Sequence, residues 1–199
     1  AKIYQNILFL PHLFSIVIVS YLVYGFLSTD YGWFNTTLLP KLGIKPINWY
    51  NTVGVWPFIL VFVKFWSTTG YGSVLYISGM AGIDPALYEA AEMDGAGRWQ
   101  KIIYVTIPSL TPILVVNIIL GLGGMFRGDF GLFYNVTMNS STLYPVTNVI
   151  DTYIFNALLV TGDTGISSAG AFFQSVMGFI TIVLANLVVK KIDPEKSFF

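Results

Sequence analysis

The densest group of chemically capable side chains lies between Asp84 and Lys101, where Asp84, Glu89, Glu92, Asp94, Arg98, Gln100 and Lys101 fall within 18 positions. Elsewhere such groups come singly. Lys64, Asn117 and Gln174 each sit inside an apolar run, and Arg127 and Asp129 alternate with aromatics in Met125-Phe126-Arg127-Gly128-Asp129-Phe130. Catalysis is a poor reading of these groups. The chain has one histidine, His12, and no cysteine, which excludes a multi-histidine metal centre, a thiolate nucleophile and a cysteine-rich zinc site. There is no Gly-x-x-x-x-Gly-Lys-Ser/Thr phosphate loop, no His-Glu-x-x-His pair and no Gly-x-Ser-x-Gly elbow. Lone polar groups in apolar runs do other work. An amide can hydrogen-bond a sugar hydroxyl or fasten one helix to another, and an intramembrane lysine can serve function, snorkel or pair.

The elements that carry these groups are membrane spans. Of 199 residues, 55% are hydrophobic and 10% charged, whereas soluble domains carry about 25% charged residues. Ten basic and ten acidic residues cancel, so no basic field is available for nucleic acid. About 20 apolar residues in helix cross a bilayer, and four such stretches are predicted at 7–27, 53–83, 105–126 and 167–189. The second is too long for one crossing, and an interruption is predicted at Ser67-Thr68-Thr69-Gly70-Tyr71-Gly72. In the first, Pro11 falls in the early turns, where a missing N–H does little harm. Lys2, Arg98, Lys101, Lys190, Lys191 and Lys196 would share one side of the membrane, against Lys41, Lys45 and Arg127 on the other. This bias places both ends and the 84–104 loop in the cytoplasm. Spans without an internal carboxylate also lack the relay expected of an ion-driven carrier.

Within the loop, Asp84-Pro85 reads as an N-cap followed by proline in the first turn, and the helix it starts should stop at Gly95. The low side formed by Ala90 and Ala91 would let another backbone approach. Glu89-Ala90-Ala91, Gly95, Val105, Ile107 and Pro108 resemble the EAA motif of permease subunits in binding-protein-dependent ABC importers. The run Leu87-Tyr88-Glu89-Ala90-Ala91-Glu92-Met93-Asp94-Gly95-Ala96 is similar to the carbohydrate-uptake, maltose-transporter type. Val105 and Ile107 stand where that pattern often has isoleucine and leucine.

The resemblance implies an all-α polytopic membrane protein with the type I ABC importer permease fold, a single transmembrane domain over 1–199. Further spans are expected ahead of it. It implies a bacterial cytoplasmic (inner) membrane location and import of a sugar or oligosaccharide by alternating access. The expected partners are cytoplasmic ATPase subunits, a second permease subunit, an extracytoplasmic solute-binding protein and membrane lipid. ATP and Mg would be held by the ATPase, with no cofactor in this chain. Coupling falls to Glu89, Ala90, Ala91, Asp94, Gly95, Arg98 and Pro108, and Asn117, Gln174, Phe126 and Arg127 are candidates for the substrate path. An ion-driven carrier or channel, or a structural membrane anchor, are the alternative functions.

Overall fold

The computed structural model describes residues 2–193, among which there is no strand. The Lys2 side chain and Lys196, both counted in the charge bias, lie outside the described residues. Among the described residues seven longer helices carry the fold, with short helical turns between them: α1 (Lys2–Leu13), α2 (Ile16–Leu27), α3 (Trp56–Ala81), α4 (Pro85–Met93), α5 (Arg98–Phe126), α6 (Ile150–Leu159) and α7 (Thr164–Ile192). By length and composition α3, α5 and α7 can each cross a membrane, and α1 with α2 add a fourth if that bent pair is one span. The described residues form two compact units, 2–70 with 127–174, and 71–126 with 175–193.

The first predicted span is not one helix. Between α1 and α2 the chain bends by 101°. Ser15 adopts extended backbone and its Oγ accepts the Ile18 N–H at 3.3 Å, which caps a new helix. Pro11, four residues earlier, has no N–H to give and weakens the last turn of the old one.

The predicted interruption at 67–72 does not occur either, because α3 runs unbroken from Trp56 to Ala81. Its hydroxyls fold back on their own helix: Ser67 and Thr68 donate to the Lys64 carbonyl and Thr69 to that of Phe65. Such bonds satisfy the hydroxyls where no water is available. Gly70 meets a packing need instead. A Cβ there would run into the Leu8 carbonyl, so α1 lies with its backbone directly on α3.

The core of the first unit joins Val19 of α2, Trp56, Leu60 and Val63 of α3, and Leu132, Val136 and Leu143 from the stretch after α5. Trp56 is wholly buried, and its Nε1–H donates to the Trp49 carbonyl at 2.8 Å. Tyr50 packs its ring 4.9 Å from that of Trp56 and donates to the Val136 carbonyl at 3.4 Å. Burial pushes the Tyr50 phenol well above its ordinary range, so it remains a donor. In the second unit α5 and α7 touch where Gly178 meets the Gly123 carbonyl. Leu110 and Ile119 are buried there.

One irregularity interrupts α5. Ile102–Thr106 form a π segment, and the Ile107 N–H reaches back to the Ile102 carbonyl. Pro108 follows and cannot donate to Tyr104, so the wider turn sits where the α ladder would lose a bond.

Candidate functional site

The elbow between α3 and α5 is built by caps. Asp84 Oδ1 accepts the Ala86 N–H at 2.9 Å, and Pro85 opens α4. At the other end the Gly95 N–H bonds Glu92 O at 2.9 Å and the Ala96 N–H bonds Ala91 O at 2.9 Å. Gly95 takes φ +78°, which completes a Schellman stop that costs a side chain about 1 kcal/mol. Gln100 Oε1 then accepts the Gly97 N–H at 2.7 Å and begins α5.

Two contacts tie α4 to α5. The Tyr88 hydroxyl lies 2.9 Å from Thr106 Oγ1. Lys101 Nζ donates to Glu92 Oε1 at 2.5 Å, and this hydrogen bond and charge hold the Glu92 carboxyl below its ordinary range. The outer side of α4 is open: Glu89, Ala90, Asp94, Gly95 and Arg98 are exposed, and Ala91 is half-buried. Met93 is 89% exposed and Trp99 77%, so apolar side chains ring this surface. Pro108 is also exposed and belongs to the first turn of the helix beyond the π segment.

The substrate-path candidates are not brought together in the same way. Asn117 is half-buried and donates to the Ile113 carbonyl of its own helix at 2.9 Å. Gln174 is buried and donates Nε2–H to Asp151 Oδ1 at 3.1 Å. The other oxygen of that carboxylate is buried with no hydrogen-bond partner among the described residues. Gln174 thus fastens α6 to α7, a structural bond for an amide offered as a sugar ligand. Arg127 is exposed and Phe126 half-buried.

The partner of Lys64 and one buried amide escaped sequence reasoning. Asp129 pairs with Lys64 at 2.6 Å and its other oxygen accepts the Leu132 N–H at 3.0 Å. This gives Lys64 the paired role rather than snorkelling. The pair spans 65 positions of sequence, and its one signal was a lone lysine in a span with a lone carboxylate near a span end. Asn186, buried inside α7, was hidden in an otherwise apolar run.

Comparison with known proteins fits this architecture. Residues 3–194 match the family described as binding-protein-dependent transport system inner membrane component. Protein LplB of Bacillus subtilis is 31% identical over 194 residues, 98% of this chain and 60% of LplB. The polygalacturonan/rhamnogalacturonan transport system permease protein YteP of the same organism is equally similar over the same shares. The trehalose/maltose transport system permease protein MalF of Thermococcus litoralis is 32% identical over 163 residues, 82% of this chain and 52% of MalF. The chain therefore spans about 60% of the length of LplB and YteP. A crystal structure of a bacterial ABC transporter involved in import of the acidic polysaccharide alginate superposes with a TM-score of 0.87 at 32% identity. It covers 96% of this chain and 66% of the matched one. The all-α arrangement is thus the type I ABC importer permease fold, and the chain belongs to the family of binding-protein-dependent transport system inner membrane components.

Proposed function

We propose that the chain is the transmembrane permease part of an ABC importer that translocates a sugar or oligosaccharide by alternating access. The single observation that carries this reading is α4: a helix capped at both ends, open along Glu89, Ala90 and Asp94, and tied to α5 through Tyr88 and Lys101. A cytoplasmic ATPase seated on that open side would move α4, and the two ties would pass the movement into α5. ATP and Mg belong to the ATPase, and this chain does no chemistry. A second permease subunit and an extracytoplasmic solute-binding protein complete the assembly. The sugar class is supported by the relatives, whose names cite polygalacturonan, rhamnogalacturonan, trehalose and maltose.

The elbow and both chain ends face the cytoplasm in this reading, and 127–166 faces outside. The low Ala90 side makes the test. Ala90→Trp should abolish ATPase stimulation by the loaded binding protein in a reconstituted complex, while the permease still inserts. Normal stimulation in the variant overturns the coupling role.

A further inference from the structure

A cavity of about 500 Å³ opens in the first unit around α6 and the start of α7, apart from every group considered above. That volume lies within the roughly 300–1,000 Å³ of small-molecule sites. Its wall carries more polar side chains than those of two other cavities, one of which holds only Lys64 and Thr68 among apolar groups. The one lined by Val115, Ile119 and Val188 is aliphatic throughout. Here Tyr144 and Tyr153 stand with Asn139, Asn156, Thr161 and Asp163.

The polar groups are pre-set by bonds that leave part of their capacity turned to a ligand. Tyr144 donates to Asn139 Oδ1 at 3.2 Å, which occupies the amide oxygen and leaves two N–H donors. Asn139 sits at φ +46°, a left-handed conformation that asparagine tolerates better than most residues. Thr161 donates its proton to the Ala157 carbonyl at 2.7 Å, so its oxygen is left as an acceptor. Asp163 caps α7 through one oxygen, at 2.8 Å from the Ile166 N–H, and its second oxygen adds further accepting capacity. Tyr153 is half-exposed and offers a ring.

We propose that this cavity is a binding subsite for a neutral, hydroxyl-rich saccharide, met before the spans are entered. The inference rests on the transport reading, which puts 127–166 outside. Vicinal hydroxyls both donate and accept, as the amides, Thr161 and Asp163 together require, and the C–H face of a pyranose suits an aromatic ring. Asp163 is the one charged side chain on the wall, so a uronate would meet repulsion there with no cation to offset it. A peptide loop of the binding protein would call for a seat without polar side chains set into it, and here Asn139, Asn156, Thr161 and Asp163 stand among the apolar groups.

The test uses the assembled permease–ATPase complex in lipid nanodiscs, without binding protein, probed by saturation-transfer NMR with maltotriose and with trigalacturonate. Maltotriose should receive saturation and trigalacturonate should not. Tyr153→Ala and Asn156→Ala should each cut the maltotriose signal at least five-fold. Asp163→Asn, which keeps an accepting oxygen for the cap, should retain maltotriose and admit trigalacturonate. Absence of a maltotriose signal in the wild type overturns the subsite. If Tyr153→Ala leaves that signal intact and instead removes ATPase stimulation by the loaded binding protein, the cavity is a protein-docking seat and the proposal falls. A wild-type complex whose ATPase responds to no loaded binding protein removes the transport reading, and this subsite with it.

Discussion

Gln174 and Asp151 lie 23 positions apart and share a part-buried hydrogen bond of 3.1 Å, while the second carboxylate oxygen of Asp151 is buried with no partner among the described residues. Gln174→Leu should therefore act on stability before it acts on transport. It takes the donor from the other carboxylate oxygen as well, for an expected loss of about 1–3 kcal/mol in reversible unfolding. Adding Asp151→Ala should cost less than the sum of the two single changes. An unchanged unfolding midpoint with slower uptake per complex would return Gln174 to the substrate path.

The Lys64–Asp129 pair gives a second expectation. Both side chains are more than a third exposed in the isolated chain, so the pair is expected to contribute only about 0–1 kcal/mol where water reaches it. Asp129→Lys should lower the unfolding midpoint by placing two ammonium groups together. The exchange Lys64→Asp with Asp129→Lys should recover most of that loss, and no recovery would show that the two groups act separately.

Gly70 leaves no room for a side chain against the Leu8 carbonyl. Gly70→Leu should displace α1 from α3. Gly72, with open space around it, is the control: Gly70→Ala should lower the unfolding midpoint and Gly72→Ala should not, and equal effects at the two positions would remove the contact.

The Glu92–Lys101 pair has a defined pH window. Glu92 is held below its ordinary value of 4.5, first by the hydrogen bond from Lys101 and then by its charge. A carboxyl so depressed adds stability above its ordinary value and loses it as pH falls through the lowered one. The difference in thermal midpoint between wild type and Glu92→Gln should be present at pH 7 and vanish toward pH 3. A difference that grows with acidity would reverse the assignment.

Topology is open to labelling because the chain has no cysteine. Cysteine at position 101 should be protected from a membrane-impermeant reagent added outside intact cells, and cysteine at 41 or 163 should react. Labelling at 101 from outside would overturn the arrangement.

The elbow was readable because caps are local: Asp84, Pro85 and Gly95 carry their geometry in their residue types, and the structure places each as those types require. The membrane helices were readable as apolar length. What sequence could not yield were choices made by distant partners. Gly70 within three hydroxyl residues looks like a weak point until Leu8 is laid upon it. Gln174 shows no sign of its hydrogen bond until Asp151 arrives from another helix. The bend after Pro11 needed Ser15 to capture Ile18, a competition between two local bonds that composition does not decide.

The π segment at Ile102–Thr106 gives α5 a phase as well as a length. One residue of an α-helix turns the chain by about 100°, and a π turn absorbs about one residue without advancing the α pattern. The side chains of Arg98–Lys101 and those from Ile107 onward are therefore set on independent clocks, with Pro108 fixing the offset. Deleting a single residue here would close the wide turn and leave the faces on either side in their present relation, whereas a deletion elsewhere in α5 would rotate everything beyond it by roughly a quarter turn. The seam is thus the place in α5 where the residue count can fall by one without turning the faces beyond it.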